Sequence, residues 1–387
     1  MKWVGGPTSS GLTTEQQDFV EALRSFCERE CAPGKVPDLG ERDDHHSEVI
    51  AGRMGELGWY GLTVPEEYGG SGGTFLDAAL FLEEYSRGRA PIGGYNVSLI
   101  TAGALLRFGT EEQKVEHLSH FAAGGTLAIA MSEPESGSDV GSLRARARRD
   151  GDEWVLDGTK TWISYAHRAS HTLVVVRSGE SSNGKKHEGL SMFMVPRDAE
   201  GLTISPIDTL GGNEVNELAM DGVRLPASAL VGEEGDGWRQ LMAGLNVERV
   251  ILGASALGLA QRAFDDALAY VKERNQFGRP VGTFQSQQHR FADLATELVQ
   301  ARLLVRHVAA LVDEVPSSTL AQESSMVKLA CTELAKKATL EGMQAMGGYG
   351  YAVEYPMERY LRSAVVTTIF GGTSEIQKNI IARTLGL

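Results

Sequence analysis

The chain has 387 residues, of which 42% are hydrophobic and 23% are charged, and its formal net charge is −14. This length can form two or three domains with a sizeable core, whereas the negative charge argues against nucleic acid or an anionic membrane as the main partner. Three cysteines, the lack of a secretory signal pattern and the lack of a run of ~18 apolar residues predict a reduced, cytoplasmic protein without membrane insertion.

Helical patterns dominate both ends of the chain. After a capping residue at Thr13 or Thr14, helices are predicted to about residue 32 and then at about 47–58, 74–87, 91–108 and 110–123. Short strands are predicted at 127–131, 153–164, 172–176, 190–195 and 202–207, with a turn at Asp157 and Gly158 and a solvated loop at 178–188. Helices return at about 238–274, 284–313, 317–346, 355–366 and 373–384. The order predicts an α+β fold with domains 1–124, 125–236 and 237–387.

The longest helical pattern, at about 238–274, carries a carboxylate on its apolar stripe. Glu248 lies three residues after Leu245 and four before Leu252, on the face where apolar residues recur at helical spacing. A carboxylate on an apolar helix face costs free energy unless it is paired, protonated or used in chemistry. Glu248 is therefore either half of a buried ion pair or an acid–base residue with a raised pKa.

Two motifs in the middle of the chain suit a flat, polar cofactor, although each also has a structural explanation. The loop at 130–142 is rich in serine and glycine, whose hydroxyl and N–H groups can bind a heteroaromatic edge or a phosphate. Trp162 and Ser164 point to the same side of a predicted strand. The pair could flank a flat ring, or Trp162 could belong to the core of the β-domain.

Three features near the end of the chain leave the same two interpretations open. Arg274 follows the long helix at a turn, where it could bind a pyrophosphate or be a plain surface arginine. Glycine-rich turns at 344–351 and 369–377 interrupt helices. In the second turn, Thr373 and Glu375 have the spacing of a helix cap.

In this order and spacing the motifs resemble those of the acyl-CoA dehydrogenase family. The segments that carry the resemblance are GLTVPEEYGG, SEPESGSD, DGTKTWIS, RNQFGRP, QAMGGYGY and GGTSEIQ, and they span most of the chain. The resemblance implies a helical N-terminal domain, a small antiparallel β-domain and a C-terminal four-helix bundle. It also implies FAD as cofactor, an acyl-CoA substrate, an electron-transfer flavoprotein as electron acceptor, and a homotetramer built as a dimer of dimers.

The resemblance further implies which residues contact FAD and substrate. The first loop and the strand with Trp162 would contact the flavin, and a second group would hold the diphosphate and adenosine across a subunit interface. The implied cofactor residues are Met131, Ser132, Gly137, Ser138, Trp162, Ser164, Arg274, Gln276, Phe277, Gln285, Gln344, Gly348, Thr373 and Glu375. The implied substrate residues are Ser138, Asn246, Arg249, Phe370 and Gly372, and no metal is expected.

The chain departs from the common family pattern at the catalytic base. Most members carry a glutamate directly before the glycine of the last motif, where this chain has Gly371, which has no side chain to take a proton. Isovaleryl-CoA and long-chain acyl-CoA dehydrogenases instead carry the base on the long helix in a Glu-Arg pair, and here that pair is Glu248 and Arg249. The paired loss and gain favour an active enzyme. Glu248 would remove the α-proton and the Gly371 N–H would bind the thioester carbonyl, with the β-hydride passing to flavin N5 to leave a trans-2-enoyl-CoA.

The acyl specificity stays open because two segments differ from the family pattern. Residues 210–226 lack the usual Arg-x-Ser-Asp-Thr core, and the predicted helix that lines the acyl pocket in the family carries Tyr95, Asn96 and Ser98. The alternatives are dehydrogenation of an acyl-carrier-protein thioester or a sterol side-chain CoA thioester, a flavin oxidase or monooxygenase, and a non-catalytic partner subunit of a mixed oligomer. Fast reoxidation in air would identify the oxidase, and a flavin that no thioester bleaches would identify the partner subunit.

Overall fold

The structure, a computed structural model, describes residues 11–32, 34–36, 45–179, 186–316 and 319–387. The backbone divides into two units. The first unit comprises Met1–Lys35, Thr74–Ala90 and Asn246–Leu387, and the second comprises Val36–Gly73 and Pro91–Leu245. Most of the loop predicted at 178–188, and the first residues of the helix predicted at 317–346, lie outside the described residues. The domain boundaries predicted after residues 124 and 236 stay predictions.

The N-terminal helices begin at hydroxyl residues that cap them. Thr13, Ser47, Thr74 and Thr110 each accept a hydrogen bond from the backbone N–H three residues further on, which satisfies a donor that the helix start leaves free. The helices are α1 (Thr14–Glu30), α2 (Glu48–Glu56), α3 (Phe75–Gly88), α4 (Tyr95–Phe108) and α5 (Glu111–Ala122). The start of α4 is four residues later than predicted, because Gly94 directly before it has a left-handed backbone with φ of 88°.

The described part of the second unit contains one eight-stranded sheet. Its strands are β1 (Leu127–Ala130), β2 (Arg146–Asp150), β3 (Glu153–Ser164), β4 (His171–Arg177), β5 (Leu190–Pro196), β6 (Leu202–Thr209), β7 (Gly212–Pro226) and β8 (Leu230–Val231). They are ordered β6-β7-β3-β2-β4-β5-β8, and β1 pairs with β4. The long pairings β6–β7, β7–β3, β3–β2 and β4–β5 are antiparallel, whereas β1 runs parallel to β4. Trp154, Phe193 and Leu218 pack in its core.

The turn predicted at Asp157 and Gly158 is wrong, because β3 continues through both residues. Gly158 has φ of 132°, and the pairing of β3 with β7 shifts register between Leu156 and Gly158, so the dipeptide forms a β-bulge. Strands β2 and β7 were not among the predicted strands. Their sequences lack an apolar run, since only some of their residues face the core and the others are charged or polar.

The C-terminal part of the chain is helical. It contains α6 (Gly237–Glu273), the short hairpin β9 (Asn275–Gln276) and β10 (Arg279–Pro280), α7 (Gln285–Glu314), α8 (Ala321–Met346), α9 (Gly348–Tyr351), α10 (Met357–Thr367) and α11 (Ser374–Thr384). A buried ion pair links α3 to these helices in the first unit. Arg302 donates to Glu83 and to Gln261, each at 2.7 Å, so the buried guanidinium has a carboxylate and an amide oxygen as partners.

Among the described helices, α6 alone is long and apolar enough to cross a membrane by length and composition. Most of its apolar window is buried inside the protein, and Val250, Leu257 and Phe264 are almost fully inaccessible to solvent. Its composition is therefore explained by its place in the protein core.

Candidate functional site

Glu248 on α6 approaches the glycine-rich turn before α11. Gly371 in this turn has φ of 60°, a left-handed conformation that favours glycine. A Cβ atom placed on Gly371 would lie 3.6 Å from Glu248 Oε1 and 2.2 Å from Leu252 Cδ1. The carboxylate of Glu248 therefore reaches the space that a side chain at position 371 would enter.

Burial raises the pKa of the Glu248 carboxyl to about 7, and the positive charges of Arg249 and Lys328 oppose this rise without cancelling it. As a whole residue Glu248 is half-buried, so water still reaches part of it. Among the described residues, its carboxylate accepts no hydrogen bond, which leaves the anion poorly stabilised. A carboxyl group with a pKa near neutrality suits a general base.

Lys328 on α8 is a charged residue of this site that was absent from the predicted set. Its side chain is fully buried, and Nζ donates a hydrogen bond to the Gly372 carbonyl at 2.8 Å. Burial lowers the pKa of Lys328 to about 8, although the carboxylates of Glu333 and Glu248 raise it. Lys328 therefore stabilises the turn through this hydrogen bond and contributes positive charge near the Glu248 carboxylate.

Two further contacts fix the same turn. The side-chain amide of Gln377 donates to the carbonyls of Gly371 and Gly372, at 3.0 and 2.9 Å. Thr373 caps α11 by accepting from the Ile376 N–H at 3.3 Å. Within the described residues, the Gly371 N–H has no backbone acceptor, so this donor is available to a ligand. Gln377 is another residue that the sequence analysis missed.

The predicted substrate residues of the first unit are sequence neighbours of Glu248 on α6 and of Gly371 in the turn before α11. On α6, Arg249 Nη1 donates a hydrogen bond to Asn246 Oδ1 at 2.5 Å, one turn earlier in the helix. The Nε atom of Arg249 is buried without an acceptor among the described residues, and burial lowers the pKa of its guanidinium. An orphan donor of this kind suits a polar group of a ligand. Phe370 is 39% exposed, and Gly372 has φ of 82°.

Glu375 lies in the first turn of α11, where its pKa is lowered by hydrogen bonds to its own backbone N–H and to the Thr373 hydroxyl. These contacts are the capping chemistry that the sequence pattern also allowed. The pair therefore has a structural role in holding the helix start, and their predicted contact with FAD stays a prediction.

In the second unit, Trp162 is an aromatic residue whose side chain is exposed to solvent. It is 62% exposed and has φ of 63°, at a second irregularity of β3. The Thr161 N–H donates to the Ser132 carbonyl at 2.9 Å, so the loop after β1 lies against β3 beside Trp162. Ser164 is half-buried two residues further along. An exposed indole beside serine and backbone groups fits a flat heteroaromatic ring such as the isoalloxazine of FAD.

A buried ion pair supports the loop after β1, and the sequence analysis also missed it. Lys160 Nζ lies 2.7 Å from Glu133 Oε1 and 3.0 Å from the Met131 carbonyl. Glu133 also accepts the backbone N–H groups of Arg144 and Ala145. Burial lowers the pKa of Lys160 to about 8. The pair fixes the base of the loop, whose tip, with the predicted residues Gly137 and Ser138, is exposed.

The second group of predicted cofactor residues is exposed on the first unit. The Arg274 guanidinium lies 5.3 Å from the ring centroid of Tyr349, which brings the turn after α6 to the turn after α8. Phe277 is 93% exposed and its ring lies 6.0 Å from that of Phe284. The remaining predicted residues, Gln276, Gln285, Gln344 and Gly348, are exposed as well. An arginine with exposed amides and an uncovered aromatic ring suits a charged, aromatic ligand such as the adenosine diphosphate part of FAD.

Comparisons with known proteins identify the family of this chain. Three family models match: acyl-CoA dehydrogenase N-terminal domain at residues 13–125, middle domain at 128–223 and C-terminal domain at 235–386. A probable acyl-CoA dehydrogenase of Bacillus subtilis is 40% identical over 97% of this chain and 98% of its own. The crystal structure of an acyl-CoA dehydrogenase from Geobacillus kaustophilus is 33% identical, covers 97% of this chain and 99% of its own, and has a TM-score of 0.88. A glutaryl-CoA dehydrogenase from Mycobacterium smegmatis in complex with FADH2 is 28% identical, covers 98% and 96%, and has a TM-score of 0.87.

These matches confirm the predicted family, the fold class and FAD as the cofactor. The helix–sheet–helix order of the described elements agrees with the three matched domains. Trp162 and the loop beside it fit the flavin, and Glu248 supplies a carboxyl with a raised pKa. The chain belongs to the acyl-CoA dehydrogenase family of FAD-dependent oxidoreductases.

Proposed function

We propose that this protein removes hydrogen from Cα and Cβ of an acyl-CoA thioester, with Glu248 as the α-proton base. It would belong to the subgroup whose base lies on the long helix. One distance carries the proposal: Glu248 Oε1 lies 3.6 Å from the position of a Cβ at residue 371. A carboxylate from α6 thus reaches the place where most family members put their glutamate.

The surroundings of Glu248 suit proton abstraction. With a pKa of about 7, a large fraction of the carboxyl is ionised at neutral pH, yet it is more basic than an ordinary glutamate. Taking the α-proton neutralises a charge that burial disfavours, so the environment favours the transfer. As negative charge develops on the thioester oxygen, the Gly371 N–H donates to it. FAD, which Trp162 and the loop after β1 would hold, would supply the acceptor for the β-hydride, and the product would be a trans-2-enoyl-CoA.

The other predicted residues act by binding. Arg249 and Asn246, already joined by a hydrogen bond, position polar groups of the substrate together with Phe370 and the Gly372 backbone. Ser138, in the loop after β1, is proposed as a further substrate-binding residue. Trp162, with Ser164, Met131, Ser132 and Gly137, holds the flavin ring. The diphosphate and adenosine are held by Arg274, Gln276, Phe277, Gln285, Gln344 and Gly348.

The oligomer, electron acceptor and compartment are part of the proposal. The exposed hydrophobic residues Phe277, Tyr351 and Ile369 are the kind of surface that assembly covers, which supports a homotetramer built as a dimer of dimers. The electron acceptor is an electron-transfer flavoprotein, and the protein acts in the cytoplasm. The mass of the FAD-loaded enzyme in sedimentation equilibrium tests the tetramer directly.

An anaerobic titration of the FAD-loaded enzyme with acyl-CoAs of different chain length and branching tests the activity. We expect at least one acyl-CoA to bleach the flavin absorbance and to yield the trans-2-enoyl-CoA. Bleaching by an acyl-carrier-protein thioester alone would move the proposal to that substrate class. Rapid reoxidation by air would indicate an oxidase, and a flavin that no thioester bleaches would contradict the activity and favour a non-catalytic subunit.

Replacement of Lys328 by methionine is expected to shift the pH dependence of flavin reduction upwards. Glu248 acts as a base only when ionised, so the wild-type rate rises with pH through about 7. The charge of Lys328 lowers the pKa of Glu248, so its loss raises that pKa. If that pKa rose to about 8, the ionised fraction at pH 7 would fall from about one half to about one tenth, so reduction would slow about fivefold at neutral pH and recover at higher pH.

The turn is expected to survive this replacement, because Gln377 still donates to the Gly372 carbonyl. The matched control is Lys337→Met, since Lys337 lies on the same helix and pairs with Glu297 on the outer face. The control should keep the wild-type profile. An unshifted midpoint in Lys328→Met would show that Lys328 does not tune the base.

A further inference from the structure

Two histidines and a glutamate meet in the second unit where α5 approaches the start of β4. The Glu116 Oε1 atom lies 4.0 Å from His117 Nδ1 and 3.8 Å from His171 Nε2. The two imidazole rings have centroids 4.6 Å apart and planes inclined at 58°. One donor atom from each of the three side chains lies within 4.8 Å of the other two. None of the three was assigned to the flavin or the thioester.

The three side chains come from regular elements that are fixed on both sides. His171 pairs with Leu127 of β1 and with Pro196 of β5, so its backbone is held in the sheet. Its Nδ1 atom lies 3.4 Å from the Ser170 hydroxyl, which leaves Nε2 facing the glutamate. On α5, the buried Gln113 donates to two backbone carbonyls around β8. The backbone positions of the donors are therefore fixed, and only their side chains need to rotate to bind an ion.

Burial and charge at this cluster match those of a site for a divalent cation. His117 is 4% exposed, and His171 is half-buried. Each imidazole can bind a metal ion through one ring nitrogen. The exposed Glu116 adds one negative charge. A buried and a half-buried imidazole beside a carboxylate form a set of donors that a transition-metal ion can use.

We propose that Glu116, His117 and His171 bind a divalent transition-metal ion, for which zinc is the best match. Two imidazole nitrogens with one carboxylate oxygen suit zinc, whereas calcium and magnesium prefer oxygen donors alone. At bond lengths of about 2.0–2.1 Å, tetrahedral ligand atoms lie about 3.4 Å apart. The observed separations need a contraction of roughly half an ångström to one and a half, which rotation of the exposed Glu116 and of the imidazoles provides.

The metal would join α5 to the edge where β1 meets β4. A water molecule would complete the coordination, since the side of the cluster at Glu116 is open to solvent.

The test is a calorimetric titration of the FAD-loaded enzyme with zinc chloride after dialysis against EDTA. We expect one zinc ion per chain with micromolar or tighter affinity. The variants His171→Ala and Glu116→Gln should each weaken binding at least about tenfold, while His307→Ala, an exposed histidine on α7, should bind as the wild type does. Equal zinc affinity in wild type and His171→Ala, or no saturable binding in wild type, would overturn the proposal.

Two spectroscopic readouts separate a built site from loose surface binding. Cobalt in place of zinc should give the visible absorption of a tetrahedral site at wavelengths beyond the flavin bands, and His171→Ala should abolish it. Zinc should also raise the melting temperature of wild type and His307→Ala but not of His171→Ala, because a ligand stabilises the state that binds it. The variants change exposed or half-buried positions, and unchanged flavin spectra would show that they are folded.

Discussion

The Glu248→Gln variant is expected to retain FAD and to reduce it about 10⁴-fold more slowly than the wild type when an acyl-CoA is added without oxygen. General-base catalysis contributes about 10²–10⁴-fold, and the upper end applies because Gly371 offers no second carboxylate. Glutamine keeps the size and shape of the side chain, and it is neutral where burial already raises the pKa of the carboxyl to about 7. Stopped-flow measurement of flavin absorbance gives the rate directly.

Two comparison variants sharpen this result. Glu297→Gln removes a carboxylate from the outer face of α7, where it pairs with Lys337, and it should reduce FAD as the wild type does. Glu248→Asp keeps a carboxylate but withdraws it by one methylene, and an intermediate rate is expected. If Glu248→Gln with full FAD content is reduced as fast as the wild type, another group is the base.

The sequence predicts a structural feature correctly where neighbouring residues determine that feature. Thr13 and Thr110 each head a capping box, so the starts of α1 and α5 follow from a few neighbouring residues. Glu248 was found because a carboxylate on the apolar stripe of α6 violates the helical pattern. The cofactor residues, by contrast, rested on the family resemblance, because a lone arginine or a serine-rich loop has an equally good structural explanation.

Lys328 is likewise a charged residue on the buried face of a helix. Lys328 follows Ser324 by four residues and precedes Cys331 by three, and all three are fully buried on one face of α8. A lysine among small buried residues violates the helical pattern as Glu248 does. What the sequence could not show is its partner, because the Gly372 carbonyl is 44 residues away along the chain.

Other features depend on contacts between distant segments. An Asp-Gly pair between two alternating stretches usually forms a hairpin turn, yet Gly158 lies within β3. Pairing of β3 with the long strand β7 continues on both sides of Gly158, and this pairing overrides the local preference. The buried pair of Lys160 and Glu133 likewise joins residues 27 positions apart. The local sequence around either residue does not predict this contact.

A carboxylate moved to position 371 is expected to restore part of the activity that Glu248→Gln removes. A Cβ at residue 371 lies 3.6 Å from the present carboxylate oxygen, so a glutamate there can reach the same proton. The obstacle is Leu252 Cδ1, 2.2 Å from that Cβ, which Leu252→Val removes at a cost of about 1 kcal/mol. The left-handed backbone at Gly371 adds about 1–2 kcal/mol of strain for any side chain.

We therefore expect Glu248→Gln/Leu252→Val/Gly371→Glu to reduce FAD about a hundredfold faster than Glu248→Gln/Leu252→Val, within the range that a general base supplies. The matched control is the triple variant with Gly371→Gln, which has the same bulk and strain but no base, and it should stay as slow as the double variant. Anaerobic stopped-flow with the best acyl-CoA compares all three. Equal rates in the glutamate and glutamine variants, each with bound FAD, would mean that positions 248 and 371 do not serve the same proton. A faster reduction with glutamate than with glutamine would mean that either α6 or the turn before α11 can carry the base, because a side chain from each reaches the same substrate proton.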